Sequence, residues 1–263
     1  MKHKADALVQ PIPVAIMELT REDALDWARQ NSWYHTIDFG DFVASGQFDL
    51  RSVFDQYGFP EDMAGMTVLD VGRSSGFFAF EFERRGATVY ATELPPTISK
   101  DHVSEPPKLT EDNIRRRGST RKKCFDPETG MRWDFYLARK ILGSNVKSLH
   151  LKIEELSEDQ YGRFDLVFAG SLLNHVRDIA GALKKLYSVT GWLCISATPV
   201  SKISPGAPAL EVIGRGTTWW VPNAEGMLAL TRNAGFEADI HNRALPLPFY
   251  DRNMDHVIVH GRR

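Results

Sequence analysis

The pattern of apolar and polar positions changes character near residue 66. Before it, one amphipathic stretch is clear, residues 21–30, where Thr20 offers an N-cap and Asp23 a partner for the first turn. Residues 31–49 carry Trp33, Tyr34, His35, Phe39, Phe42 and Phe48 without a sustained period, and read as a structured cover. From Met66 onward, short apolar runs rich in β-formers alternate with helical stretches. Residues 67–71, 88–92, 146–151, 164–169 and 192–197 read as strands. Residues 77–85, 132–142, 179–187 and 224–233 read as helices, with Gly86, Gly143 and Gly235 behind three of them. Two further strands, 237–241 and 256–259, close the chain with no helix between them.

This alternation predicts an α/β fold, a doubly wound, mostly parallel seven-stranded sheet with helices on both faces and an antiparallel edge. Residues 1–60 form an N-terminal helical cover and 61–263 the α/β domain. One stretch breaks the rhythm after the second strand, residues 94–130, long, charged and Pro-containing. Loops of that length are lids, binding loops or disorder.

Composition excludes several classes. The net charge of -2 gives no global attraction to nucleic acid or anionic membrane. The strong charge run is local: Arg115, Arg116 and Arg117 with Arg121, Lys122 and Lys123, either a phosphate or acidic-substrate contact or a solvated loop. Cys124 and Cys194 offer neither zinc-ligand spacing nor a disulfide framework, which suits a reducing cytoplasm. No secretory h-region and no membrane-length apolar run is apparent. No nucleophile elbow or P-loop occurs, and the acids are too scattered to build a metal site.

Candidate chemistry concentrates after the first buried strand. Asp70-x-Gly72-x-Ser74-x-Gly76 lies between strand and helix, and Glu93 ends the next strand. Small residues let a backbone turn sharply against a ligand, and an acid at the second strand can accept both hydroxyls of a ribose. That is the layout for a nucleoside-containing cofactor. The dinucleotide reading fails because the spacing is not G-x-G-x-x-G, bulky Phe77 and Phe78 follow, and Asp70 would repel a diphosphate. An acid there suits the cationic amino-acid end of S-adenosylmethionine.

With these residues the chain resembles the class I S-adenosylmethionine-dependent methyltransferases, and within them the tRNA wobble-uridine methyltransferases that make 5-methoxy- or 5-carboxymethoxyuridine. The resemblance rests on Trp33-Tyr34-His35, Val68-Leu69-Asp70-Val71-Gly72 and Leu151-Lys152-Ile153-Glu154-Glu155-Leu156. It continues through Phe164-Asp165-Leu166-Val167-Phe168, Leu172-Leu173-Asn174-His175 and Trp219-Trp220-Val221-Pro222-Asn223. It implies S-adenosylmethionine held by Asp70, Gly72, Arg73, Ser74, Gly76, Glu93 and Leu94, with Ile153 and Glu154 framing the adenine and Gly170 beside it. Residues 172–175 would face the transferred methyl. Carboxymethyl-transferring relatives carry lysine at the position of His35 and tyrosine at that of Asn174. A carboxylated cofactor needs a cation beside its extra carboxylate, so plain S-adenosylmethionine is expected.

The expected reaction is O-methylation of a small-molecule acceptor in specialised metabolism. The alternatives are a tRNA acceptor and a cofactor-binding module without catalysis. His175 and His35 are the candidate proton acceptors, since imidazole titrates near neutrality; His175 could equally orient its loop. Tyr34, Asn174, Trp219 and Trp220 are the candidate acceptor contacts. In an extended segment the two tryptophans point to opposite faces, so one can enter the core while the other faces the cleft; the alternative is that both pack.

Overall fold

The β-branched runs after residue 66 pair in the order that a doubly wound fold requires. The structure, a computed structural model, describes residues 2–94 and 132–263. Its strands are β1 (Trp33–His35), β2 (Ile37–Asp38), β3 (Val43–Ala44), β4 (Gly46–Phe48), β5 (Thr67–Val71), β6 (Thr88–Glu93) and β7 (Lys147–His150). They continue as β8 (Phe164–Gly170), β9 (Thr190–Pro199), β10 (Leu210–Arg215), β11 (Thr218–Pro222), β12 (Glu237–Phe249) and β13 (Arg252–Arg262).

The main sheet runs β1-β4-β12-β13-β9-β8-β5-β6-β7. Its core, from β7 to β9, is parallel, and β13 and then β12 add antiparallel. Strand β5 lies between β6 and β8, the point at which the chain reverses its direction of travel across the sheet. In such sheets ligands bind beyond the carboxyl ends of the strands at this point.

The expected count of seven strands becomes nine. Strand β4 pairs with β12 through Phe48 and Phe249, and β1 pairs parallel to β4. Without them β12 would be an open edge, which folded proteins cover. Strands of three residues are too short for a two-residue alternation to register in sequence. The last two strands also run longer than expected, 13 and 11 residues. Pro246 and Pro248 are accommodated within β12 because its outer side has a single strand pairing, so a missing N–H costs little there. The hairpin β10–β11 was not foreseen as a pair; it stands outside the main sheet.

The helices divide as the pattern predicts. Arg21–Gln30, Phe77–Arg84 and Trp133–Ile141 share one hydrophobic cluster, and Ile179–Val189 and Ala224–Asn233 the other. Thr20 and Asp23 form the expected capping box. The cover is sewn into the first cluster by aromatic contacts. Phe54, Tyr57 and Phe59 pack around Phe78 and Phe82, and Phe78 meets Phe168 of β8 at 4.4 Å. Among the described residues no helix is long and apolar enough to cross a membrane. The insertion at 94–130, apart from Leu94 itself, and the Arg115 to Lys123 run lie outside the described residues.

Gly76 is where this packing constrains a single residue most tightly. It caps the helix Phe77–Arg84 at φ +92°, and a Cβ there would sit 2.7 Å from both Phe135 and Phe80. Gly65 has a similar φ of +79° but open space around it. Gly76→Ala is expected to cost about 2–4 kcal/mol, left-handed strain plus overpacking, against about 1–2 kcal/mol for Gly65→Ala. Urea unfolding of both variants checks this; equal losses would mean that the aromatic neighbours yield freely.

Candidate cofactor pocket and active site

The turn after β5 is built from three consecutive constraints. Gly72, Ser74 and Gly76 all adopt positive φ, +82°, +50° and +92°. A Cβ on Gly72 would approach Leu172 to 3.2 Å, so the loop after β8 lies directly against the turn. The N–H groups of Gly72 and Arg73 donate to the Thr92 carbonyl at 3.2 and 2.9 Å, which ties the turn to β6. A non-glycine residue at positive φ is held there by its surroundings, and Ser74 is: its N–H donates to Glu93 Oε2 at 3.2 Å.

Two carboxylates frame the turn. Glu93 is half-buried at the end of β6, and its other oxygen accepts from the Leu94 N–H at 3.1 Å. Each oxygen keeps a lone pair for a further donor. Asp70 is 2% exposed, and its Oδ2 is buried with no hydrogen-bond partner among the described residues. Burial raises its pKa to about 7, the charge of Glu93 adds to the rise, and Arg73 opposes it. An unpaired buried carboxylate beside a glycine turn is what a cationic ligand group would satisfy.

Arg73, one of the expected cofactor contacts, turns its side chain inward. Its side chain is 2% exposed and folds inward, with the guanidinium 3.6 Å from the Phe135 ring centre. It donates to the Ser74 carbonyl at 3.1 Å and to Ser148 Oγ at 3.4 Å. Burial lowers its pKa, and Glu93, Tyr136 and Asp134 counteract this. Arg73 therefore braces the turn from beneath. On the outer side, Ile153 is buried and Glu154 exposed in the short helix Ile153–Glu155 that follows β7. A cavity of about 450 Å³ lies at this edge, lined by Leu8, Gln10, His150, Leu151, Glu155 and Tyr161 among others. Asp70, Gly72 and Glu93 do not line it, so it is separate from the turn.

The cover is tied to the turn by the His35 N–H, which donates to Ser75 Oγ at 2.9 Å. The His35 imidazole is buried against Tyr34, Phe77 and Phe78. Desolvation, with Arg132 adding, depresses its pKa to about 3, and Nδ1 is buried without a partner. It stays neutral at physiological pH, which suits wall-building better than the proton-accepting role expected. Tyr34 is half-buried against Phe48, and Trp33 packs inward with its indole N–H on the Ala28 carbonyl at 3.0 Å.

Asn174 and His175 sit in the short helix Leu173–His175 that follows β8. His175 Nδ1 lies 2.8 Å from the Thr217 carbonyl, so it carries the proton and donates. Nε2 then accepts from the Asn174 amide at 3.3 Å. The imidazole thus orients Asn174, whose Oδ1 is buried with no partner. The two tryptophans are both partly buried and meet different partners. Trp220 packs on the second cluster and donates to the Arg177 carbonyl at 2.9 Å. Trp219 lies under the Arg177 guanidinium at 4.6 Å, and its Nε1 is buried without a partner.

Sequence reading missed a second imidazole. His256 on β13 is fully buried, its Nδ1 3.0 Å from the Met254 carbonyl and its Nε2 2.8 Å from Ser171 Oγ. Ser171 follows Gly170 at the end of β8 with φ +50°. The two residues are 85 positions apart, and His256 looks like any polar interruption of a buried strand. Among the described residues no group of three metal-ligating side chains forms.

No family model matches the chain, and no curated protein matches it. Solved structures do. The N-terminal domain of EvdMO1, in the presence of SAH and D-fucose, superposes with a TM-score of 0.57 at 18% identity, over 92% of this chain and 96% of that one. The same domain with SAH bound matches with a TM-score of 0.57 over 95% and 99%. An O-methyltransferase family protein from Burkholderia thailandensis matches with a TM-score of 0.51 at 14% identity, over 81% of this chain and 56% of that one. Likeness at these identities speaks to architecture, and strand order, switch point and turn agree with it: the chain has the class I methyltransferase fold.

Proposed function

We propose that the protein is an S-adenosylmethionine-dependent methyltransferase acting on a hydroxyl oxygen of a small molecule. The observation that carries this reading is the buried Asp70 carboxylate beside the left-handed turn, whose Oδ2 has no hydrogen-bond partner among the described residues, with Glu93 at the neighbouring strand end. Asp70 fits the α-ammonium end of the cofactor and Glu93 its ribose hydroxyls; Gly72, Ser74, Gly76 and Leu94 provide the close backbone, and Ile153, Glu154 and Gly170 the adenine side. When bound, S-adenosylmethionine supplies an electrophilic methyl group on a sulfonium. The chain's own contribution is alignment, which can account for most of the barrier lowering in such a transfer. The cover meets the turn through the His35 N–H on Ser75 Oγ, and the loop after β8 meets it through Leu172 against Gly72. His175 acts through Asn174, and His35 excludes water.

A small acceptor is favoured over tRNA. The folds matched include a domain crystallised in the presence of a monosaccharide and an O-methyltransferase family protein. The chain is acidic overall, and one local basic run would have to carry a much larger ligand. Plain S-adenosylmethionine is preferred to a carboxylated form, because the neutral His35 stands where relatives using that form carry lysine.

Calorimetric titration tests the cofactor. S-adenosylhomocysteine should bind, and Glu93→Ala should weaken it at least ten-fold, since each charge-assisted hydrogen bond contributes about 1.5–3 kcal/mol. Equal binding by both proteins, or by neither, removes the assignment. Submicromolar tRNA binding at physiological salt would replace the small acceptor with RNA.

Asp70 gives a pH dependence with a definite sign. Its folded pKa of about 7 lies above the ordinary 3.8, so the unliganded chain loses stability as pH rises from about 4 to about 7. A cationic ligand needs the ionised form, so affinity for S-adenosylhomocysteine should rise from pH 6 to pH 8. Asp70→Asn should flatten that rise and melt higher than wild type at pH 8, with the difference shrinking toward pH 4. A variant that melts lower at pH 8 would contradict an unpaired carboxylate.

A further inference from the structure

A second hollow lies at the β7 edge of the sheet, apart from the turn after β5. An outermost strand leaves a row of backbone groups to be covered, and here the N-terminal arm covers part of it. The Gln10 N–H donates to the Ser148 carbonyl of β7 at 2.8 Å. Earlier in the arm, Asp6 accepts from the Tyr90 hydroxyl at 2.7 Å and from Lys147 Nζ at 2.6 Å, and Ala5 is fully buried. The arm is thus pinned at two points, so the cavity of about 450 Å³ that it forms with β7 and the short helix Glu158–Tyr161 is built in advance of any ligand. That volume falls within the range of small-molecule sites.

The lining divides by chemistry. Leu8, Leu149 and Leu151 offer apolar surface, and Gln10 and Gln160 offer neutral amides. Burial, with Arg73 adding, lowers the pKa of His150 below its ordinary value, so this imidazole is uncharged at pH 7. Among the described residues that line the cavity, Glu155 alone carries a formal charge. One of its oxygens accepts from the Lys152 N–H at 2.6 Å, and a carboxylate keeps lone pairs for further donors. Tyr161 is 5% exposed, and its hydroxyl makes no hydrogen bond among the described residues, although a buried tyrosine hydroxyl ordinarily finds a partner. Burial raises its pKa, and the charge of Glu155 adds to the rise. A phenol and a carboxylate that line one cavity, and feel each other without bonding, leave room for a group between them.

We propose that this cavity is a binding site for a small primary ammonium ion with an apolar body, held between the Glu155 carboxylate and the Tyr161 hydroxyl. The proposal stands independently of the methyltransferase reading. An ammonium has three N–H donors, enough for both oxygens at once, while its body lies against the leucines. An anionic ligand would meet Glu155 as a like charge. The flanking sequence points the same way: from His150 to Tyr161 the chain has Glu154, Glu155, Glu158 and Asp159 against Lys152, and Arg163 is already paired with Glu158 at 2.8 Å. A neutral hydroxyl could reach the same two oxygens but would lack the charge-assisted bond. Asp70 is the rival carboxylate for any cation. It does not line this cavity, so the two sites are told apart by where a ligand is felt.

Two-dimensional NMR of the 15N-labelled full chain tests this, with 2-phenylethylammonium, 2-phenylethanol and 3-phenylpropionate as probes. The ammonium should shift the amides of Gln10 and Leu151 and bind at least about five-fold more tightly than the alcohol or the carboxylate. Glu155→Gln keeps an oxygen for the Lys152 N–H and should abolish that preference. Tyr161→Phe should weaken the ammonium about three-fold. Should Tyr161→Phe fail to fold, the exposed Glu155→Gln change still decides. No ammonium binding at millimolar concentration, equal binding of the alcohol, a preference that survives in Glu155→Gln, or shifts confined to residues 70–76 would each overturn the proposal. Adding S-adenosylhomocysteine should leave the ammonium in place; displacement would give the cavity to the cofactor and end its claim as a separate site. Failure of S-adenosylhomocysteine itself to bind counts against the methyltransferase reading alone.

Discussion

A carboxylate with an unpaired oxygen lies at the centre of the sheet, and much of the surrounding architecture serves to keep it there. Asp70 is second from the end of β5, where the strand order reverses, and it is almost wholly buried. Charge in such a place is costly unless something answers it. The partial answers are local: Arg73 lowers the cost from beneath the turn, and a backbone N–H at Ala79 contributes. Neither gives Oδ2 a hydrogen-bond partner. The turn therefore holds an electrostatic demand that its own residues leave open, a common origin of binding specificity in a folded chain.

Rigidity around that demand comes from aromatic packing. Phe77, Phe78, Phe80 and Phe82 all bury in the helix after the turn. They meet Phe54, Tyr57 and Phe59 of the cover and Phe168 of β8. Arg73 adds its guanidinium to Phe135 on the next helix. A turn with three positive φ values would be loose if its flanks were loose; here it is clamped between two layers of rings. The cover closes the exposed edge of β12 and also places His35 over the turn through Ser75.

The four imidazoles of interest illustrate how environment divides one residue type into different tasks. His35 and His256 are buried and pressed well below their ordinary pKa, so both remain neutral. His175 and His256 each use Nδ1 on a backbone carbonyl and Nε2 on a side chain. His260 is pinned by Nε2 to the Tyr57 carbonyl at 2.8 Å and stacks on His241, joining the cover to β13. In a transfer driven by a strong electrophile, alignment of the reacting groups can supply much of the rate enhancement.

Sequence alone determined the alternation of strands and helices, the parallel core of the sheet and the turn from Asp70 to Gly76 with Glu93 opposite. These are local signals: an apolar run, a glycine at a strand end, an acid one strand later. It also marked Asn174 and His175 by their place after β8. What it left undecided depends on partners distant in the chain. That Arg73 turns inward follows from Phe135 and Ser148, that His35 is neutral follows from its burial, and that Ser171 meets His256 requires β13 to lie beside β9. The two extra strands were invisible because a three-residue strand has no period to read, and exists here because β12 offered an edge to cover. Local sequence sets which backbone shapes are possible; which polar atom is left without a partner is settled only when the whole sheet has closed around it.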